Sequence, residues 1–117
     1  MAVIIHGVIN KVGTTALVTI VTAPDAGKVK RVDLTATNVT AGLVPAAADV
    51  YVDDEDTPAN SGYRKKGYPL PAPPDPDCTV ILEYALMLSE GQALQIRGSA
   101  ADAVAFSAEV VENDVDA

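Results

Sequence analysis

Three observations in the sequence predict an all-β chain folded as an antiparallel β-sandwich, jelly-roll or immunoglobulin-like, of seven to eight strands. Apolar or alternating runs of strand length recur between turn signals, with no amphipathic helix and no internal repeat between them. Val, Ala, Ile and Leu dominate the hydrophobic 49 %, Trp is absent and Phe106 is the only Phe. Eight Pro and eight Gly punctuate these β-favouring runs. A chain of 117 residues suffices for one domain with a modest core.

The first run, Val3–Ile9, is an edge strand or an arm, so residues 1–13 stand apart from the sandwich proper at 14–111. Thr15–Val21 follows and is closed by the turn Ala23-Pro24-Asp25-Ala26-Gly27. Val29–Val39 shows the clearest alternation, with Val32, Leu34 and Ala36 on one side and Arg31, Asp33, Thr35 and Thr37 on the other. A strand with one buried and one wet face reads this way. After the loop Thr40–Pro45, Asp49–Val52 sets Val50 and Val52 opposite Tyr51.

Residues 53–77 read as a long Pro-rich loop, from Asp53-Asp54-Glu55-Asp56 to Pro73-Pro74-Asp75-Pro76. Proline at that density excludes a central strand. Within the loop, Tyr63-Arg64-Lys65-Lys66-Gly67-Tyr68 is a short edge strand or an ordered turn. Thr79–Leu88 is apolar on both faces and predicts a strand covered on each side. Ser89-Glu90-Gly91-Gln92 then turns the chain into Ala93–Arg97, where Leu94 and Ile96 face inward and Gln95 and Arg97 outward: a corner, with Gly91 supplying the turn conformation. Val104–Val111 is the last strand, and residues 112–117 form an acidic, frayed tail.

The formal net charge of −8 opposes nonspecific nucleic-acid binding and docking on an anionic membrane. Cys78 is the only cysteine, so no intrachain disulfide forms, and it reads as a small core or strand-start residue. No targeting segment is visible, and the N-terminal apolar run is too short to span a bilayer, which predicts a soluble chain.

No catalytic, cofactor-binding or metal-ligating constellation is legible. His6 is the only histidine and has no nucleophile motif beside it, and with Cys78 it leaves a zinc set short. The acids at 53–56 lack the spacing and central glycine of an EF-hand loop and read as a solvated cluster. No Gly-rich phosphate loop occurs, Asp75 and Asp77 show no glycosidase motif, and the sequon Asn38-Val39-Thr40 reads as strand chemistry. Six of the eight Lys and Arg residues fall in two groups, Lys28/Lys30/Arg31 and Arg64/Lys65/Lys66. Tyr63 and Tyr68 bracket the second group, making a basic–aromatic candidate contact for a partner protein.

The order of segments resembles the capsid decoration (cement) proteins of tailed bacteriophages. The resemblance lies in Val29–Asn38 ending in Thr37-Asn38, the Asp49–Val52 strand, and a variable loop with a proline-bearing entry to Thr79–Leu88. It continues in Leu88-Ser89-Glu90-Gly91-Gln92-Ala93-Leu94-Gln95-Ile96 and covers residues 14–111 as a pattern. It implies a non-enzymatic building block without cofactor, often trimeric, bound to the major capsid protein on the capsid exterior after assembly in the host cytoplasm. The apolar Val3, Ile4 and Ile5 depart from that pattern and are expected to pair with a neighbouring sheet edge. A tail, baseplate or head-fibre component is the alternative, as is a carbohydrate- or receptor-binding module, although the absence of Trp counts against the latter.

Overall fold

The structure is a computed structural model that describes residues 3–54 and 62–115; the side chains of residues 3–6 and 54 lie outside that description. Its strands are β1 (Val3–Val12), β2 (Val18–Val21), β3 (Lys28–Asn38), β4 (Ala46–Asp54), β5 (Tyr63–Leu70), β6 (Thr79–Leu88), β7 (Gln92–Gly98) and β8 (Val104–Asp114). They form two antiparallel four-stranded sheets, sheet A in the order β1-β8-β3-β6 and sheet B in the order β2-β7-β4-β5. Four of the pairings obey one rule: β1 with β8, β2 with β7, β3 with β6, and β4 with β5. The chain therefore lies as one long hairpin, folded back at β4–β5 and rolled so that successive pairs alternate between sheets.

The inward faces meet in a single core. Val32, Leu34 and Ala36 of β3 and Val104, Phe106, Ala108 and Val110 of β8 pack against Val50, Leu70, Leu94 and Ile96 of sheet B. Period-two alternation produces this directly: β3 and β8 bury every second residue from Lys30 to Asn38 and from Val104 to Glu112. The residues between them, Arg31, Asp33, Thr35 and Thr37, stand on the outer face.

Residues 88–100 form the expected corner. Gln92 N donates to Ser89 O at 3.0 Å, and Gly91 adopts φ +84°. The turn carries the chain from sheet A to sheet B, so Leu94 and Ile96 enter the core from the opposite layer.

Strand β6 departs from expectation. It lies at the edge of sheet A and is not covered on each side: Ile81 and Tyr84 are exposed by 66 % and 74 %. Two register shifts interrupt the strand. Between Leu34 and Val32 on β3, β6 passes from Glu83 to Leu86, so Tyr84 and Ala85 share the place opposite Asp33. Between Thr35 and Leu34, β6 passes from Ile81 to Glu83, which turns Leu82 and Glu83 both inward. The two bulges reverse the alternation and then restore it, so Val80, Leu82, Leu86 and Leu88 turn inward at one parity, and the run reads as apolar on both faces because the open face itself carries Ile81, Tyr84 and Met87.

The tail also differs. β8 extends to Asp114, Glu112 is buried, and Asp114 accepts a hydrogen bond from Lys28, which raises the lysine's pKa above its ordinary value. Cys78 is half-buried at the end of a single 3-10 turn, Pro76–Cys78, and is not part of the core. Asp75 caps that turn, its Oδ1 accepting from Asp77 N at 2.8 Å.

Candidate functional site

The predicted contact Tyr63–Tyr68 lies on β5, the edge strand of sheet B, and the structure divides its residues among three environments. Register shifts between Ala48 and Val50 and between Val50 and Tyr51 break the alternation of β5. Tyr68 packs against the core. Tyr63 belongs to the outer face of sheet B, where it meets Tyr51 edge-on with ring centroids 4.9 Å apart. Arg97 Nη2 donates to its hydroxyl at 2.8 Å, and Lys66 Nζ stands 4.9 Å from its ring centroid. Arg97 is itself held by Asp49, its Nε donating to Oδ2 at 2.7 Å, and this bond raises the guanidinium's pKa.

Arg64 and Lys65 serve the seam between the sheets. Arg64 Nε donates to Glu83 Oε1 at 2.6 Å, and Lys65 Nζ lies 3.8 Å from Oε2. The Glu83 carboxylate is buried, whereas both cations keep substantial exposure. That asymmetry orders the expected effects of substitution. Glu83→Gln leaves two cations that water can solvate and will cost about 0.5 kcal/mol. Removing both partners, Arg64→Ala with Lys65→Ala, strands a buried carboxylate and will cost about 2 kcal/mol. Denaturant midpoints of the two variants check the order, and equal losses would contradict it. The patch is thus largely committed to internal contacts, with Lys66 exposed beside the Tyr63 ring.

Val3, Ile4 and Ile5 lie in β1 at the opposite edge of the molecule's other sheet, their backbones paired with Asn113, Glu112 and Val111 of the same chain. Their side chains and that of His6 lie outside the described residues, as do Glu55 and Asp56 of the acidic run. Among the described residues no group of three or more His, Cys, Asp or Glu is arranged to hold a metal ion, and no helix is long and apolar enough to cross a membrane.

Sequence reading did not single out the outer face of sheet A. Register fixes its rows. Val8, Glu109 and Asp33 form one; Asn10, Ser107, Thr35 and Ile81 the next; Val12, Ala105, Thr37 and Thr79 the third. Ser107, Thr35 and Ala105 are small at the centre of the face, and Ile81 and Tyr84 stand higher at the β6 edge, leaving a groove. One depression of about 400 Å³ reaches from Asn10 and Val12 to Thr35 and Thr37. A second, of about 230 Å³, lies between Thr35, Ser107, Asp33, Glu109, Ile81 and Tyr84.

No protein-family model matches the chain. No curated protein and no solved structure matches it either. Its chemistry therefore rests on the geometry above.

Tyr84 was hidden inside an apolar run. The signal that marks it is its neighbour Glu83, a carboxylate in the middle of that run, which the bulge turns inward as Tyr84 goes outward.

Proposed function

We propose that the chain is a non-enzymatic structural protein of a phage virion, decorating the capsid exterior through multi-copy contacts with the major capsid protein. The rolled-hairpin order of its strands is, in our reading, that of a jelly roll, an architecture used by viral capsid domains and lectins. The observation that carries the attachment is the free edge of β1.

A strand at a sheet edge presents unpaired backbone groups and is a template for another strand unless it is protected. The other three edges are protected. β5 bears Lys65, Lys66, Pro69 and two register shifts; β6 bears two register shifts; β2 has four residues. β1 has ten residues, no acid on an acidic chain, and a single irregularity at Gly7. Its Lys11 is turned away to Thr19 O on β2, at 3.3 Å, and Val8 and Val12 are exposed beside the free edge. A capsid strand added there gains main-chain hydrogen bonds, and repetition over many copies multiplies a modest single contact.

Phage heads assembled from a genome lacking this coding sequence, mixed with the purified protein and sedimented, test the reading. The wild-type chain is expected to saturate the heads at a fixed number of copies and to raise their rupture temperature. Val8→Asp with Val12→Asp, both exposed positions, is expected to weaken binding at least tenfold with unchanged melting. Binding confined to tails would replace decoration with a tail role, and no binding at all would end the virion reading.

A further inference from the structure

We propose that the groove across the outer face of sheet A is a carbohydrate site, with Tyr84 as its stacking platform and Ser107, Thr35, Asp33 and Glu109 as its hydrogen-bonding groups. The inference is argued apart from attachment through β1: it rests on the side chains of β3, β6 and β8, although Val8 and Val12 border the same face.

The floor of the groove restricts what can bind. β8 and β3 are interior strands, laddered on both sides. Their backbone groups are already used, so a ligand lying on them can reach only side chains. An extended peptide seeks backbone partners and finds none there. The side chains along the floor are Ser107 and Thr35, continued by Asn10 on β1. Hydroxyl and amide groups that both donate and accept match a ligand with the same chemistry, a chain of sugar hydroxyls. Four strands at about 4.8 Å spacing give the groove a reach of about 14 Å, so it takes an oligosaccharide rather than one ring.

Tyr84 closes one end, and its position is built rather than incidental. The bulge that places it needs Ala85 at φ +55°, a left-handed conformation unfavourable for any residue with a Cβ. Asp33 holds that conformation, its Oδ1 accepting from Ala85 N at 2.7 Å. Arg31 steadies the ring, its guanidinium carbon 5.4 Å from the centroid. The result is a tyrosine 74 % exposed, an apolar plate with a polar tip, at the rim of the second depression.

Beside it, Asp33 and Glu109 sit directly opposite each other on neighbouring strands. Like charges in that position are destabilising, and the Glu109 side chain has no hydrogen-bond or ion-pair partner among the described residues. Sugar hydroxyls donate to carboxylates in charge-assisted bonds and so satisfy Glu109, while Asp33, already bonded to Ala85 N, keeps lone pairs for a further hydroxyl. Arg31 Nη2 lies 3.8 Å from Asp33 Oδ2, which leaves Glu109 as the uncompensated charge, and on a chain of net charge −8 it repels sialic acid and phosphorylated glycans. The ligand is therefore a neutral oligosaccharide.

The test uses the full chain, biotinylated and clustered on streptavidin so that weak sites act together, over an array of neutral, sialylated and phosphorylated oligosaccharides. Binding to a subset of the neutral glycans is expected. Calorimetry with the best of them should show at least a tenfold loss for Tyr84→Ala and for Glu109→Gln, and near-wild-type affinity for Tyr84→Phe. Both altered side chains are exposed, so Tyr84→Ala should melt with the wild type, and Glu109→Gln with it or slightly above, since it removes one of two facing like charges. No neutral glycan bound above background, a preference for acidic glycans, or unchanged affinity in Tyr84→Ala would each overturn the proposal. Failure to bind phage heads leaves these outcomes unaffected, so the two readings fail separately.

Discussion

Asn38→Asp, a change of one amide to one carboxylate without change of shape, is expected to destabilise the fold by about 4 kcal/mol at pH 7. Asn38 is 2 % exposed at the end of β3. Its Nδ2 donates to Val44 O at 2.8 Å, Pro71 O at 3.1 Å and Leu70 O at 3.2 Å. Its Oδ1 accepts from Thr40 N at 3.0 Å. One amide thus joins the end of β3, the 40–45 loop and the exit of β5. A carboxylate in the same place donates nothing and sets its charge against three carbonyl oxygens. Burial and those oxygens will raise its pKa above the ordinary value of about 3.9, so the folded variant holds its proton where the unfolded chain releases it. Stability of the variant therefore falls as pH rises past that value, and the gap from wild type should be smaller at pH 4 than at pH 7. Urea melts at both pH values measure this. A gap that is small, or that does not change with pH, would mean that the amide does not hold the three segments together.

Phe106→Ala is the second large effect, with an expected loss of about 4 kcal/mol. Phe106 is the one phenylalanine, and its ring is buried between the sheets. It packs against the backbone of Gly13, where a Cβ would stand only 2.8 Å from ring carbon Cε2. Gly13 is in turn fixed by its N–H, which donates to Val104 O at 2.8 Å. The segment above the ring is pinned and cannot sink into the space that the variant opens, so the cavity persists. A melting temperature lower by on the order of 15 °C is expected. A loss of only a few degrees would show that β1 and the residues after it collapse onto the gap.

The sequence revealed the sandwich where alternation was unbroken. Val32, Leu34 and Ala36 are inward and Thr35 and Thr37 outward as period two requires, and Ser89–Gln92 is the corner that its glycine announced. What it hid are the positions where a strand takes an extra residue. A bulge at Tyr84–Ala85 is marked only by the carboxylate of Glu83 beside it, because an alanine at positive φ is indistinguishable in sequence from any other alanine. The same cause divided the Tyr63–Tyr68 cluster: composition found its residues, but register decided that Tyr68 faces the core while Arg64 reaches Glu83. Partners distant in sequence were equally invisible. Nothing near Asp33 indicates Glu109, or near Asn38 indicates Leu70.

The rolled hairpin also governs how the chain comes to be folded. β4 and β5 are close in sequence and can pair early, but β3 must wait for β6 and β2 for β7. β1 waits longest, since among the described residues its ladder is with β8 alone, about a hundred residues away. Contacts of such separation make a domain fold slowly, over milliseconds to seconds. During synthesis the acid-free, apolar β1 is therefore made first and sheltered last, and sheet A remains open through its middle until β8 has left the ribosome. That interval, with β1 made and its partner strand not yet in place, is the one in which a chain of this topology is open to association with another.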